Sequence, residues 1–410
     1  MAGPDGGLLS PTAAGTPGTT ALWEAVVGQP DLVTTLSHAA ADAARIRRGE
    51  SGPSMTHAWL LTGPPGSGRS TAARVFAAAL QCPDGGCGHC AVCRDVLAGA
   101  HADVDQFTPE KLQITAEESL DLIHRASMTP IMGRWNVLIV EDSDRLNEVS
   151  GNALLKSLEE PSPRTVWILC APTSEDVLPT IVSRTRQVRL HTPATHDVAE
   201  ALVRREGIDP AVASFAARAA QGHIGRARAL ARDEQVRLRR AEVLAIPATL
   251  RSVPACFVAA QNLLDAASAD AAAITDALDA TELAALSRAY GEGATGAMAA
   301  RVKRTASAAT KDLEARQKSR RTRTVRDQID RALLDLTGLC RDVLVIQTGA
   351  DVDLINDEMR PIVERMAVHS DVRATMARLE ALDHARLAVG ASVAPLLALE
   401  ALMVQLARGA

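Results

Sequence analysis

Between Leu22 and Leu190, short apolar runs alternate with longer stretches in which apolar residues recur at helical spacing. The runs are Ala58–Thr62, Val104–Phe107, Val137–Val140 and Thr165–Cys170. Strands separated by helices of this length predict a parallel sheet with crossover helices. One helix start is explicit: Thr115, with Glu118 three residues on, forms a capping box, and Pro130 ends the segment. Residues 192–246 read as short Ala- and Arg-rich helices with a break at Gly222–Gly225. From Pro247 onward the pattern is helical, interrupted by a glycine loop at Gly291–Gly296, and no fixed-period repeat is present. The expected organisation is a disordered Gly/Pro/Thr-rich tail (1–20), an α/β domain with a parallel sheet and flanking helices (21–191), a small helical domain (192–246) and an all-α domain (247–410).

Composition narrows the functional classes. Aromatic residues make up 2%, so the core must be built from Ala, Leu and Val, and base stacking on rows of rings is disfavoured. The net charge of −5 excludes a global basic field, leaving only local patches for nucleic acid. Between Arg301 and Arg326, ten basic residues face two acidic ones. A solvated helix or tether is the plainer reading and a nucleic-acid-facing patch the sharper one. The most apolar segment, Leu387–Leu399, is too short to span a bilayer and contains Pro395. With no signal-like N-terminus, a cytoplasmic location is expected.

The run Ala58–Thr62 leads directly into Gly63-Pro-Pro-Gly66-Ser67-Gly68-Arg69-Ser70, the pattern G-x-x-x-x-G-K-[ST] with Arg in place of Lys. Glycines let backbone N–H groups turn inward on phosphate oxygens, and the helix N-terminus that follows adds positive potential. Ser70 stands where a hydroxyl would reach Mg2+. Arg69 keeps the charge, but its planar fork is no equivalent of a compact ammonium. Glu141-Asp142 follows the strand Val137–Val140, in the reverse of the Asp-Glu order that holds Mg2+ and positions water. Nucleotide binding is left open by this pattern, and fast hydrolysis is not expected.

Cys82-x4-Cys87-x2-Cys90-x2-Cys93 supplies four thiols within twelve residues. In a reducing compartment this spacing points to a closed, structural zinc site, with an iron–sulfur cluster as the rival. His89 is a substitute ligand or a bystander.

Further segments carry a resemblance. Leu22-Trp-Glu-Ala-Val-Val27-Gly-Gln29 resembles the N-terminal motif of AAA+ proteins, and His57-Ala-Trp-Leu-Leu-Thr-Gly63 is similar to the stretch before the phosphate loop of bacterial clamp-loader subunits. A cysteine module after the phosphate-loop helix, Asn152-Ala-Leu-Leu-Lys-Ser-Leu-Glu-Glu-Pro161, and Ser183-Arg184-Thr185, similar to a Ser-Arg-Cys motif, complete it. The chain thus resembles the DNA polymerase III clamp-loader AAA+ family, and its altered nucleotide motifs resemble the delta-prime branch; Leu313–Ser319 looks actinobacterial.

This resemblance implies an AAA+ domain, a helical lid and a helical collar that closes a pentameric ring with gamma/tau and delta subunits, acting on a sliding clamp and primed DNA. It further implies a stator without its own ATPase, whose Arg184 reaches the ATP of a neighbour. Val27, Gly63, Gly66, Ser67, Gly68, Arg69, Ser70, Thr71, Glu141, Asp142 and Arg226 would form a degenerate nucleotide site, Arg226 by its place near a second arginine sensor. The competing readings are an active gamma/tau-type motor and a free-standing nucleotide kinase.

Overall fold

The computed structural model describes residues 21–109, 113–290, 297–391 and 393–408; the expected tail (1–20) and the glycine loop (291–296) lie outside the described residues. The chain divides into two units, one comprising residues up to 108 together with 114–191, the other 109–113 together with 192–410.

The first unit is an α/β layer structure. Its strands are β1 (Ala58–Thr62), β2 (Val104–Phe107), β3 (Asn136–Val140), β4 (Thr165–Ala171) and β5 (Arg186–Arg189). They form one parallel sheet in the order β2-β3-β4-β1-β5. Its helices are α1 (Pro30–Arg47), α2 (Arg69–Gln81), α3 (Ala91–Leu97), α4 (Ala116–Ala126), α5 (Glu148–Glu159) and α6 (Pro179–Val182). Every residue of β1, β3 and β4 is buried, which explains their uninterrupted apolar sequences: helices cover both faces of the sheet. Alternate residues serve the two cores. Trp59, Leu61, Val137, Ile139 and Ile168 pack with Phe76 of α2 and Leu36 of α1, while Leu60, Leu138, Trp167 and Leu169 pack with Leu122 of α4 and Leu154 of α5.

Three local features differ from the sequence reading. Strand β5 was not expected; only its Val188 is buried, as befits an edge strand, so its apolar signal is one residue long. It follows Thr185 directly, so Arg184 precedes a strand that enters the sheet rather than lying on a segment that leaves it. Helix α5 begins ahead of Asn152, because Asn147 accepts from the Ser150 N–H at 3.0 Å and Ser150 returns the bond. Helix α4 has the expected Thr115–Glu118 capping box and stops at Ala126, ahead of Pro130.

The second unit is helical: α7 (Thr195–Glu206), α8 (Pro210–Ala219), α9 (Ile224–Arg232), α10 (Glu234–Ala245), α11 (Val253–Tyr290), α12 (Ala297–Thr348), α13 (Arg360–His369), α14 (Val372–Gly390) and α15 (Pro395–Arg408). Leu263, Leu333, Leu336, Leu382, Leu399 and Leu402 dominate its main core, as the scarcity of aromatic residues requires. The described part of the basic stretch lies on α12, where Arg320 reaches Asp279 and Glu282 of α11 at 2.5 Å each. No helix among the described residues is long and apolar enough to cross a membrane.

A buried ion cluster ties this unit together. Arg240 of α10 reaches Asp335 of α12 at 3.0 Å and Glu358 at 2.6 Å, and Arg226 of α9 pairs with the same Asp335. Two guanidinium groups therefore share one buried carboxylate. Removing one partner of such a cluster strands charge away from water, at a cost of about 3–5 kcal/mol. Asp335→Ala should lower the stability of the helical unit by about that amount in urea unfolding. A loss below about 1 kcal/mol would mean that Glu358 suffices for both arginines.

Candidate functional site

The carboxyl ends of β1, β3 and β4 lie side by side, which is where open parallel sheets gather ligands. Beyond β1, the Gly63 N–H donates to Ala171 O at 3.3 Å and Pro172 O at 3.0 Å, anchoring the loop to the end of β4. A Cβ at Gly63 would meet Leu190 and Ser67 Oγ at 2.8 Å, so a side chain is excluded there. Gly68 adopts a left-handed φ of 98°, which turns the chain into α2 at Arg69, Ser70 and Thr71. The N-cap of α2 is Gly68, which has no side chain to offer the first turn. Its first-turn N–H groups are thus presented as an anion site requires.

Glu141 and Asp142 stand at the end of β3. Glu141 is buried, and Gln106 Nε2 of β2 donates to its Oε1 at 3.1 Å. Burial is the main cause that pushes its carboxyl above the usual range; Asp142 adds to the shift, while Ser70, Arg69 and Arg74 oppose it. Asp142 has a left-handed φ of 46° and its carboxylate lies 3.5 Å from Arg145. Ser67 Oγ, Arg69 Nη1 and Asp144 Oδ1 are buried without a hydrogen-bond partner among the described residues. The donors around the loop suit an oxyanion.

The N-terminal motif braces this edge. Val27 is buried, and Gln29 makes a two-point bridge to His191 just past β5, donating to its O at 2.6 Å and accepting from its N at 3.1 Å. Gln106 and Asp144 were not singled out in sequence, whereas Gln29 closes the N-terminal motif quoted above. The one legible signal for Gln106 was its place on a strand beside the acidic pair.

Arg184 lies on the turn between α6 and β5, its side chain one-third exposed. Its Nε donates to Glu159 Oε1 at 2.5 Å and its Nη1 to Thr180 O at 2.8 Å. Glu159 belongs to the Asn152–Pro161 segment, whose Leu154 and Leu158 are core residues. Arg226 lies in the helical unit, paired with Asp335.

The cysteine module lies between α2 and α3. The sulfurs of Cys82, Cys87, Cys90 and Cys93 all lie within 4.8 Å of one another, with Cys82 at 3.7 Å from Cys87 and 3.8 Å from Cys90. A zinc–sulfur bond of about 2.3 Å puts tetrahedral sulfurs about 3.8 Å apart, so these thiols fit zinc. N–H groups of His89 and Cys90 hold the Cys87 thiol down at about 6, whereas burial pushes Cys93 up. The His89 ring is turned to Cys87 O at 3.1 Å and stands outside the cluster. Four protein ligands would leave no open position on a bound metal.

Residues 44–194 match the family model described as "DNA polymerase III, delta subunit". Over this stretch the chain is similar to clamp-loader subunits of DNA polymerase III. It is 37% identical over 163 residues to the DNA polymerase III subunit delta' of Pseudomonas aeruginosa, covering 38% of this chain and 50% of that one. It is 33% identical over 207 residues to the DNA polymerase III subunit gamma/tau of Mycobacterium tuberculosis, covering 48% and 34%. The matches thus span half or less of these relatives. A gamma subunit-related protein of Thermotoga maritima overlays with a TM-score of 0.41 at 16% identity, over 86% of this chain and 94% of that one.

Because binding energy at a four-thiol site becomes local folding energy, zinc should be retained through purification. Elemental analysis of reduced protein should find close to one zinc per chain, and Cys93→Ser should lose most of it. A metal-free wild type, prepared without chelator, would remove zinc from this account.

Proposed function

We propose that this chain is the delta-prime-type, non-hydrolysing stator of a bacterial DNA polymerase III clamp loader, working in the cytoplasm. Its partners in this reading are gamma/tau and delta subunits in a pentameric ring, with a sliding clamp and primed DNA engaged by the assembly. The zinc module stabilises the AAA+ domain, residues 192–246 act as lid and 247–410 as collar. The observation that carries the reading is Arg69 at the lysine position of the phosphate loop, with Glu141-Asp142 in reversed order at the end of β3. Together they depart from the Lys and Asp-Glu set with which hydrolytic sites hold Mg2+ and position water.

In this reading the chemistry occurs on a neighbour. Arg184, on an exposed turn, supplies a guanidinium to the neighbour's ATP, where charge spreads over the transferring phosphoryl oxygens. Arg226, held by Asp335 in the helical unit, acts there as a structural ion and not as a sensor. The gamma/tau-type motor is the second reading, favoured by one observation: the mycobacterial gamma/tau relative aligns over more of this chain than the Pseudomonas delta' does.

Turnover separates the two. The isolated chain should hydrolyse ATP at background rate, and robust turnover would favour the motor. In the assembled loader, Arg184→Ala should leave assembly intact and lower DNA- and clamp-stimulated hydrolysis. A finger arginine is worth about 10³–10⁵ at its own site, and the whole-complex loss should be smaller because other sites keep working. Arg184→Lys should recover only part, since an ammonium cannot fork across two oxygens. Wild-type clamp loading by the Arg184→Ala complex would refute the trans role.

A further inference from the structure

The main core of the helical unit takes residues of α11 only as far as Ala267 and of α12 only from Val325 onward. Beyond those points the two helices run on as an arm. Leu313 of α12 is buried, and Gln317 and Arg320, one and two turns on, bond to Asp279 and Glu282 of α11. That face of α12 is therefore turned to α11. On the opposite face, Lys311, Ala315, Lys318 and Thr322 recur at the spacing of one helix stripe, and all four are exposed. Lys311 and Lys318 stand two turns, about 10.5 Å, apart along the helix. Arg316 and Arg321 are exposed on the same stretch, Arg321 pairing with Asp276 at 3.4 Å, and Glu314 is an exposed acid beside the stripe.

Positive charge is gathered here. Ten of the chain's 44 basic residues and two of its 49 acidic ones lie between Arg301 and Arg326, which leaves the remainder at a net −13. Among the described residues, α12 exposes no large apolar side chain. A protein-docking surface is anchored by large apolar or aromatic side chains, whereas a nucleic-acid backbone is held by cations and small polar groups. We propose that the outward stripe of α12, centred on Lys311 and Lys318, is a sequence-independent contact for the phosphate backbone of duplex DNA. The choice of duplex DNA among polyanions rests on the clamp-loader reading; the phosphate contact itself rests on the arm. Ala315 and Thr322 are small enough to let the backbone approach the helix between the two lysines. The acidic remainder of the chain repels the same duplex, which confines the contact to the arm.

The test is fluorescence anisotropy of a labelled duplex of about 20 base pairs, titrated with the full-length chain in NaCl from about 50 to 200 mM. Chelator is omitted so that the cysteine module is undisturbed. Wild-type affinity should fall by at least about tenfold across that range. Lys311→Gln combined with Lys318→Gln removes two phosphate contacts. The slope of log affinity against log salt should then shrink by about 1.8, and affinity at the low-salt end should drop by at least about tenfold. Arg204→Gln combined with Arg360→Gln removes the same charge from exposed positions elsewhere in the helical unit, and should leave affinity within about twofold of wild type. Both variants should keep the wild-type far-ultraviolet circular dichroism. If the lysine variant binds as the wild type does, if the control loses as much as the lysine variant, or if the wild type fails to bind at about 50 mM NaCl, the proposal is wrong. None of these results would bear on ATP turnover or on Arg184, whose effect is read in the assembled loader.

Discussion

The pairing of β1 with β4 is the constraint on which the first unit depends. Thr62 opposes Ala171, and the same register carries Gly63 to the backbone of Ala171 and Pro172. Because β3 pairs with the far side of β4, its end lies two strand spacings, about 9.6 Å, from the end of β1. The first turn of α2 spans that distance, so the charge of Arg69 acts on Glu141. Shifting the register by one residue would exchange the two apolar faces of β1 and separate these groups together.

Arg69, Ser70 and Glu141 are best understood as one unit. A lysine beside a strand-end aspartate leaves room for a divalent ion and its waters. A guanidinium is larger and a glutamate reaches further, so both positions depart from that arrangement. Burial raises the proton affinity of Glu141, and the nearby arginines and the Ser70 hydroxyl restrain the rise. The two departures visible in sequence are thus coupled in space, and restoring either alone would leave the other mismatched.

Much of the sheet was legible because strands covered on both faces cannot hide their pattern: β1, β2, β3 and β4 all coincide with apolar runs to within a residue. Strand β5 escaped because an edge strand with polar Arg186, Gln187 and Arg189 needs only Val188 inside. The start of α5 escaped because its capping box uses Ser150 where Glu or Gln is usual. The four cysteines converge as their spacing implied, since turns over such short loops leave few alternatives. What the sequence could not disclose were partners far apart in the chain. Gln106 with Glu141, Arg184 with Glu159 and Arg226 with Asp335 are set by tertiary packing. The basic character of Arg301–Arg326 was plain, while its answering acids, Asp279 and Glu282, lie on the preceding helix.

The Arg184–Glu159 pair decides whether an arginine on this turn is available at all. Both side chains are substantially exposed, Arg184 by 33% and Glu159 by 46%, so water screens them and the pair is worth about 1 kcal/mol or less. Thr180 O adds one hydrogen bond to the same guanidinium, a contribution of about 1 kcal/mol. A finger arginine lowers a phosphoryl-transfer barrier by a factor of about 10³–10⁵, equivalent to about 4–7 kcal/mol. Releasing Arg184 therefore costs less than it could return at a neighbouring triphosphate. Meanwhile the local contacts limit the rotamers that a long side chain would otherwise sample, so part of the ordering entropy is already spent before a partner arrives. By contrast, Arg226 shares a buried carboxylate and could leave it only by stranding charge, which keeps the two arginines in different classes despite their similar sequence settings.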